Sequence, residues 1–266
     1  MRVGLFIPCY VDQFYPEVGL ATVAVLERFG CECDFPTQQT CCGQPMANSG
    51  FGDQAAPLAR RFVDIFAGYD YIVAPSGSCV SMVRNHYGDY FAAGDTASDA
   101  VRGRTYELCE FLTEVLGLEA IGGSFAARVA LHQSCHGLRE LRLGNCSELM
   151  THGVDRVRRL LASIDGVEIV ELQRKDECCG FGGTFAVVEE GVSVLMGKDR
   201  VADFSRAGAE VITATDSSCL MHLHGIASRQ GSRQRYMHVA EIFAAAVAAD
   251  PVAADRAVAD PVAPAG

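Results

Sequence analysis

Two Cys-Cys-Gly triplets, at residues 41–43 and 178–180, are the feature that most constrains this chain. Each triplet lies between one upstream and one downstream cysteine, at closely similar distances in the two cases. The resulting sets are Cys9, Cys41, Cys42 and Cys79, followed by Cys135, Cys178, Cys179 and Cys219. One triplet can arise by chance, whereas two such sets predict a duplicated unit in which each copy gathers four cysteines.

Strand and helix patterns alternate along both halves, and each cysteine group directly follows a predicted strand. The predicted strands are Val3–Pro8, Cys31–Phe35 and Tyr71–Ala74 in the first half, and Arg128–His132, Val167–Leu172 and Glu210–Ala214 in the second. This order predicts an α/β fold of two duplicated Rossmann-like halves with mainly parallel sheets. Ligands of such sheets gather beyond the carboxyl ends of the strands, so we expect the four thiols of each set to converge there.

The repeat also sets the predicted domain limits. A first cysteine-rich domain is expected at residues 1–124 and a second at residues 125–247, with a Gly-Gly-Ser sequence at the boundary. A weaker repeat, which aligns Glu110 with Glu241, follows the last cysteine of each set. Residues 248–266 are rich in Ala, Pro, Val and Asp. We expect this tail to be disordered, because it buries too little apolar surface to offset its ordering entropy.

Charge and composition restrict the classes of function. The formal net charge of −11 and the pI near 5.1 argue against a nucleic-acid partner, because such proteins concentrate Lys and Arg. No apolar run approaches the roughly 18 residues of a transmembrane segment, and no secretory signal pattern is found, so a cytoplasmic location is predicted. In that reducing compartment, a cysteine-rich chain is expected to bind metal or perform redox chemistry rather than form disulfides.

Four thiolates per set suit an iron–sulfur cluster, so the cysteines predict two clusters per chain, ligated by all eight residues of the two sets. A Cys₄ zinc site is the structural alternative, although zinc usually draws its ligands from short C-x₂₋₄-C knuckles that the sets lack. A metal-free thiol enzyme is the third interpretation. The glycine-rich turn after Cys179 matches neither a dinucleotide-binding nor a phosphate-binding fingerprint, and no flavin or nicotinamide motif is found.

The sequence resembles the CCG cysteine-rich domain family over nearly its whole length outside the tail. The resemblance is carried by the opening GLFIPCYVDQFYPEVG, the PSGSC turn, and the segments HQSCHGLREL and ECCGFGGTF. The family includes a cysteine-rich component of heterodisulfide reductase and the iron–sulfur subunit of glycolate oxidase. The resemblance to its short members, which contain two such domains, implies that this chain is an oxidoreductase subunit. Such a subunit would transfer electrons during the oxidation of L-lactate to pyruvate. The implied partners are a ferredoxin-like iron–sulfur protein and a further lactate-utilization subunit of a multiprotein lactate dehydrogenase complex.

The chain departs from heterodisulfide reductase at one position in each half. There the last cysteine belongs to a CxxC pair, whereas here Met82 and His222 take the place of the second cysteine. Four thiols remain per set, but the departure weighs against a five-cysteine cluster and against disulfide-splitting activity. The alternative functions are the iron–sulfur subunit of a glycolate-type oxidase, a heterodisulfide-reductase-like thiol redox enzyme, and a zinc-stabilised binding module. Whether a small 2-hydroxy acid binds this chain stays open.

His136 and His222 are the candidate catalytic residues outside the cysteine sets. His136 is placed to hydrogen-bond a cluster sulfur or a substrate carboxylate, and His222 to act as a ligand or proton donor. For His222, the alternative is a partly exposed histidine at the start of a helix, without a role in the site. Arg139 and Arg142 are candidates for holding an anionic substrate, with a solvated helix face as the alternative. The cysteines outside the duplication are expected to be small buried hydrophobes; they are Cys31, Cys33, Cys109 and Cys146.

Overall fold

Two four-stranded parallel sheets, one from each half of the sequence, form the framework of the computed structural model, which describes residues 1–150 and 153–249. The first half contains β1 (Arg2–Leu5), α1 (Cys9–Phe14), α2 (Pro16–Arg28), β2 (Glu32–Asp34), α3 (Gln44–Asn48), α4 (Gly52–Phe66), β3 (Tyr71–Ala74), α5 (Gly77–Ser81), α6 (Thr96–Gly103), β4 (Thr105–Glu107) and α7 (Leu108–Glu110). The second half contains β5 (Ser124–Leu131), α8 (Arg156–Ala162), β6 (Asp165–Ile169), α9 (Phe185–Val188), α10 (Glu190–Arg206), β7 (Val211–Ala214), α11 (Ser217–Arg229), β8 (Arg235–His238) and α12 (Val239–Ala248). Among the described residues, three π-helical turns and two 3₁₀ turns complete the elements, at Met82–His86, Phe111–Val115, His136–Glu140, Tyr87–Tyr90 and Ser147–Leu149.

The strand order is the same in both sheets, and all strand pairs are parallel. It is β2-β1-β3-β4 in the first sheet and β6-β5-β7-β8 in the second. This confirms the predicted α/β class with two duplicated Rossmann-like halves. The last strand of each half, β4 or β8, was not predicted from the sequence. It begins the weaker repeat, and Glu110 and Glu241 each stand third in the helix that follows it.

The pairing registers fix which residues of the two halves are equivalent. β1 pairs with β3 in the same way as β5 pairs with β7. Phe6 extends the first ladder with an amide hydrogen bond of 2.9 Å to β3, and His132 extends the second with one of 2.8 Å to β7. Phe6 and His132 are therefore counterparts, and the same offset relates Cys9 to Cys135.

Aromatic and aliphatic side chains pack around the sheets in two cores, of which the larger extends across both halves. In the larger core the ring of Phe6 packs edge-on against Phe62 and Phe66 of α4, at centroid distances of 4.9 and 6.0 Å. Each such buried ring stabilises the fold by roughly 1.5–3 kcal/mol. The smaller core belongs to the second half and includes Phe204 and Leu223.

The two halves contact each other reciprocally. The last helix of the second half, α12, packs on α2, and the corresponding helices α7 and α8 also meet. Helix α5 contacts the π-helical turn at His136–Glu140, and α11 contacts the equivalent helix α1. Ser76 and Asp216, which precede α5 and α11, form an isolated antiparallel bridge. Because each contact has an equivalent with the two halves exchanged, the two repeats are related by an approximate two-fold axis.

The domain limits, 1–124 and 125–247, stay a prediction. β5 begins at Ser124, and helices of each half pack on the other. Ala248, the first residue of the predicted tail, still belongs to α12, while residues 250–266 lie outside the described residues. Within the described ranges, no helix combines the length and the apolar character needed to cross a bilayer.

Candidate metal centre

All eight cysteines of the two sets line one cavity of about 270 Å³ beyond the carboxyl ends of the strands. Cys9 begins α1 soon after β1, and Cys135 has the equivalent place after β5. Cys79 and Cys219 lie in the first turns of α5 and α11, which follow β3 and β7. The parallel strands thus bring together cysteines that are distant in sequence. The sequence predicted one site in each half but not that both sets would share a cavity.

The first set consists of two close pairs of sulfur atoms. Cys9 Sγ lies 3.7 Å from Cys41 Sγ, and Cys42 Sγ lies 3.4 Å from Cys79 Sγ. Gly43 has a φ of 82°, a conformation that favours glycine, and its amide donates to Cys41 Sγ at 3.4 Å. A hydrogen bond of this kind favours the thiolate, which is the form that binds metal.

The second set repeats the same backbone turn. Gly180 has a φ of 89°, and its amide donates to Cys178 Sγ at 3.3 Å. The next amide along the chain donates to Cys179 Sγ at 3.4 Å. The sulfur atoms of Cys179 and Cys219 and one ring nitrogen of His132 lie within 4.8 Å of one another. His132 therefore adjoins this set, although the sequence analysis did not consider it for the site.

The first cysteine of each Cys-Cys pair is the one that loses its proton most readily. Hydrogen bonds from the neighbouring thiols, that of Cys42 foremost, lower the pKa of Cys41 to about 3. In the second set the neighbouring thiols, that of Cys135 foremost, lower the pKa of Cys178 to about 2. The same hydrogen bonds, together with burial, raise the pKa of the donor thiols. Each set thus holds a thiolate at neutral pH.

The donor atoms fit a thiophilic metal group. Each set offers four sulfur atoms, and thiolates are the ligands of both iron–sulfur clusters and Cys₄ zinc sites. None of the twelve cysteines forms a disulfide, and all twelve lie in the described residues, so every sulfur atom of the two sets is available to a metal. The remaining cysteines are absent from the described lining of the cavity; they are Cys31, Cys33, Cys109 and Cys146. The residues present therefore suit two four-thiolate sites, and ligation by these eight cysteines stays a prediction.

The two candidate catalytic histidines have different surroundings. His136 lines the cavity, and its Nδ1 lies 3.5 Å from Cys135 Sγ. His222 is not among the described residues that line the cavity, and its Nε2 lies 3.4 Å from Ser193 Oγ on α10. Burial lowers the pKa of His222. Met82, which has the equivalent position in the first half, is fully buried. Of the two histidines, His136 is the one positioned to contact a group bound in the cavity.

Arginine and lysine are absent from the cavity lining in the described part of the chain. Arg139 instead forms an ion pair of 2.6 Å with Glu148 and donates to the carbonyl of Asp176 at 3.2 Å. Arg142 is exposed and has a φ of 57°. Both arginines fit the surface interpretation, and neither provides a cation for an anionic ligand inside the cavity.

Asp216 is a cavity-lining residue that the sequence analysis missed. Its Oδ1 accepts hydrogen bonds from Ser76 Oγ at 3.0 Å, from the Ser78 amide at 3.0 Å and from Ser78 Oγ at 2.8 Å. Its Oδ2 is buried and has no hydrogen-bond partner among the described residues. The signal was available in the alignment of PSGSC with TDSSC, where Asp replaces Ser three residues before the last cysteine.

Comparison with known proteins agrees with this arrangement. The family model for the CCG cysteine-rich domain matches residues 3–84 and 129–224, which include both cysteine sets. The chain is 39% identical to Lactate utilization protein A of Geobacillus kaustophilus, over 91% of this chain and 98% of the relative. It is 40% identical to Lactate utilization protein A of Bacillus subtilis, over 91% of this chain and 99% of the relative. The chain belongs to the CCG cysteine-rich domain family and, within it, to the family of lactate utilization protein A.

Proposed function

We propose that this protein is the iron–sulfur electron-transfer component of a multiprotein system that oxidises L-lactate to pyruvate. The observation that carries the proposal is the single cavity that both cysteine sets line. Relatives of about 39% identity over 91% of the chain are named for lactate utilization, which supports the choice of substrate for the system. The proposed partners are a ferredoxin-like iron–sulfur protein and a further lactate-utilization subunit, and the proposed location is the cytoplasm.

Two iron–sulfur clusters, one for each set, would be held by the eight cysteines. The ligands would be Cys9, Cys41, Cys42 and Cys79 in the first site, and Cys135, Cys178, Cys179 and Cys219 in the second. When bound, such clusters supply one-electron transfer. The amides of Gly43 and Gly180 donate to the sulfur atoms of Cys41 and Cys178, which stabilises negative charge in each set.

The composition of the cavity supports a relay rather than a substrate site. Oxidation of a 2-hydroxy acid removes two electrons. Two clusters in one chain, each of which takes up one electron, could together hold both electrons. The described lining carries the carboxylate of Asp216 but no Arg or Lys, so it offers little to attract the carboxylate of lactate. The chain also lacks a flavin or nicotinamide motif that would accept a hydride. We therefore assign lactate binding and C–H cleavage to a partner subunit.

Metal analysis of anaerobically purified protein tests the ligands. Cys42→Ser and Cys179→Ser should each remove about half of the iron and acid-labile sulfide, because a four-thiolate cluster depends on every ligand. Cys33→Ser is the matched control, since Cys33 lies on β2 and outside the described lining of the cavity. A colourless protein that carries zinc would contradict the proposal, and so would equal iron loss in the control.

Lactate-dependent reduction of a one-electron acceptor tests the function. Activity should require the partner proteins and should fall sharply in Cys42→Ser and in Cys179→Ser, because a relay fails at any missing link. A preference for glycolate would favour a glycolate-type oxidase, and reduction of a disulfide substrate would favour a thiol redox enzyme. Robust lactate oxidation by the purified chain alone would place catalysis here and would make His136 the leading catalytic candidate.

A further inference from the structure

The two cysteine sets differ at one buried position beside them. The strand registers make Phe6 and His132 counterparts, and both side chains are buried. In the first half the ring of Phe6 packs edge-on against Phe62 and Phe66 and offers no hydrogen-bond donor. In the second half the same place holds an imidazole, so only this half has a ring nitrogen next to its cysteines. The duplicated sites are therefore chemically different.

The proton of His132 is placed by a buried arginine. Arg200 is fully buried, and its Nε donates to His132 Nδ1 at 3.2 Å. Asp203 Oδ2, at 3.3 Å, and the carbonyl of Arg174 hold the guanidinium, which also lies over the ring of Phe204. A guanidinium has only donors, so Nδ1 of His132 must be the acceptor. The neutral ring consequently carries its hydrogen on Nε2.

The Nε2–H of His132 is a buried donor without a protein acceptor. Nε2 has no hydrogen-bond partner among the described residues. A ring nitrogen of His132 lies within 4.8 Å of the sulfur atoms of both Cys179 and Cys219. An unpaired buried N–H costs about 1–3 kcal/mol, so a position of this kind indicates a partner that is present in the loaded protein.

We propose that His132 is a positioning residue whose Nε2–H donates to the sulfur of the second cysteine set, with Arg200 fixing its tautomer. The inference rests on the proposed iron–sulfur function. A hydrogen bond to cluster sulfur stabilises the extra negative charge of the reduced form and so raises the reduction potential. Because Phe6 provides no such donor, the second site should be the easier of the two to reduce, and an electron in the chain should reside there preferentially.

Anaerobic redox titration followed by electron paramagnetic resonance tests the inference. His132→Phe, which copies the first half, should lower one of the two midpoint potentials and leave the other unchanged. We expect a shift of about tenfold in the redox equilibrium, which corresponds to about 59 mV for a one-electron couple. His132→Gln, which keeps an N–H near the position of Nε2, should recover part of the shift. Unchanged potentials, or equal shifts of both, would overturn the proposal.

Pulsed resonance on protein labelled with ¹⁵N-histidine provides a second readout that does not depend on the Phe variant folding. Because His136 Nδ1 also lies 3.5 Å from Cys135 Sγ, the spectra are recorded on His136→Gln protein. This protein should show weak nitrogen and exchangeable-proton couplings from His132 to one reduced cluster. Strong nitrogen coupling would mean direct ligation, and absent coupling would mean no contact; either result overturns the donor role. Iron and sulfide content separates the two proposals. Wild-type protein without iron defeats both, whereas normal iron with unaltered potentials defeats only the role of His132.

Discussion

Ser76 and Asp216 occupy the same position in the two halves and hydrogen-bond each other, with Ser76 Oγ donating to Asp216 Oδ1 at 3.0 Å. Each residue follows the third strand of its half and directly precedes the helix that carries the last cysteine of the set. The backbone adds an antiparallel bridge between the two residues. The halves are therefore joined, next to the cavity, through equivalent residues of the duplicated unit.

Removal of the Asp216 carboxylate should weaken this junction. Asp216→Ala leaves three hydrogen-bond donors of Ser76 and Ser78 without their acceptor, and should destabilise the protein by about 2–4 kcal/mol. Asp216→Asn keeps an acceptor oxygen in place and should cost less than about 1.5 kcal/mol. Denaturant unfolding under argon measures the difference. Asp199→Ala, at an exposed residue, is the control, and similar losses for the Ala and Asn variants of Asp216 would contradict this role.

A methyl group at Gly180 should disrupt the second cysteine set more than one at Gly43 or Gly183. A Cβ at Gly180 would meet the Ser193 carbonyl oxygen at 2.7 Å, whereas at Gly43 the nearest atoms are 3.5 Å away. Gly183 has a φ of 64° but open space around it, so Gly183→Ala isolates the backbone strain of about 1–2 kcal/mol.

Iron content and thermal stability of the three alanine variants should therefore follow a defined order. Gly180→Ala should lose about half of the iron, because the turn that aims its amide at Cys178 cannot form without displacing α10. Gly43→Ala and Gly183→Ala should keep more iron than Gly180→Ala. If Gly183→Ala lost as much iron as Gly180→Ala, strain alone would account for both, and the steric explanation would be wrong.

Removal of the metal should expose a difference in reactivity among the cysteines. In metal-free, reduced protein at about pH 6, we expect alkylation of Cys41 and Cys178 to be at least about tenfold faster than that of Cys109, because only thiolates react. Neighbouring thiols lower the pKa of Cys41 and Cys178, while burial foremost raises the pKa of Cys109. Mass spectrometry after timed quenching locates the label. Earlier modification of Cys9 than of Cys41 would contradict the assigned proton positions.

The meeting of the cysteines could be predicted because it depends on local patterns. Tyr71–Ala74 is an apolar run ended by a Pro-Ser-Gly turn, and the structure has β3 at those residues. Parallel strands direct their carboxyl ends to one edge, which is why Cys9 and Cys79 could be placed near each other without knowledge of the packing. The strands β4 and β8 escaped notice because their sequences, Thr-Tyr-Glu and Arg-Tyr-Met-His, contain charged and polar residues and lack an apolar run such as that of the equally short β3.

The shared cavity and the role of His132 could not be predicted in this way, because they depend on contacts between distant segments. The junction of the halves joins Ser76 to Asp216, 140 residues later. The orientation of His132 depends on Arg200, which is 68 residues away in sequence. Arginine is rarely fully buried, so the burial of Arg200 beside His132 could not be predicted from the sequence. Sequence periodicity describes single elements, whereas these features arise where elements from different parts of the chain pack together.

Glu107→Gln should stabilise the protein at alkaline pH. Glu107 caps α7 with one oxygen of its carboxyl group, and burial raises its pKa from 4.5 to about 8. The neutral carboxyl supports folding fully below pH 4.5, and that contribution is lost as the pH rises through about 8, because the unfolded chain ionises freely. Between about pH 5 and 8.5, wild type should lose about 2–4 kcal/mol more than the variant, which keeps an acceptor for the cap. Exposed Glu119→Gln is the control in denaturant unfolding.

His238→Asn should act on the opposite side of neutrality. His238 is the counterpart of Glu107, its Nδ1 accepts from the Ala240 amide at 3.1 Å, and burial lowers its pKa from 6.5 to about 4. Its neutral ring supports folding fully above pH 6.5, and this contribution is lost as the pH falls through about 4, because the unfolded chain takes up the proton first. Between about pH 7 and 4.5, wild type should lose about 1–3 kcal/mol more than the variant. The pH windows of the two groups overlap below pH 6.5, whereas between pH 6.5 and about 8 only Glu107 changes its contribution. In that range Gln at Glu107 should flatten the pH dependence of the unfolding free energy, and Asn at His238 should leave it unchanged. A changed slope there in the His238 variant, or an unchanged one in the Glu107 variant, would show that burial of these two caps does not set the pH range.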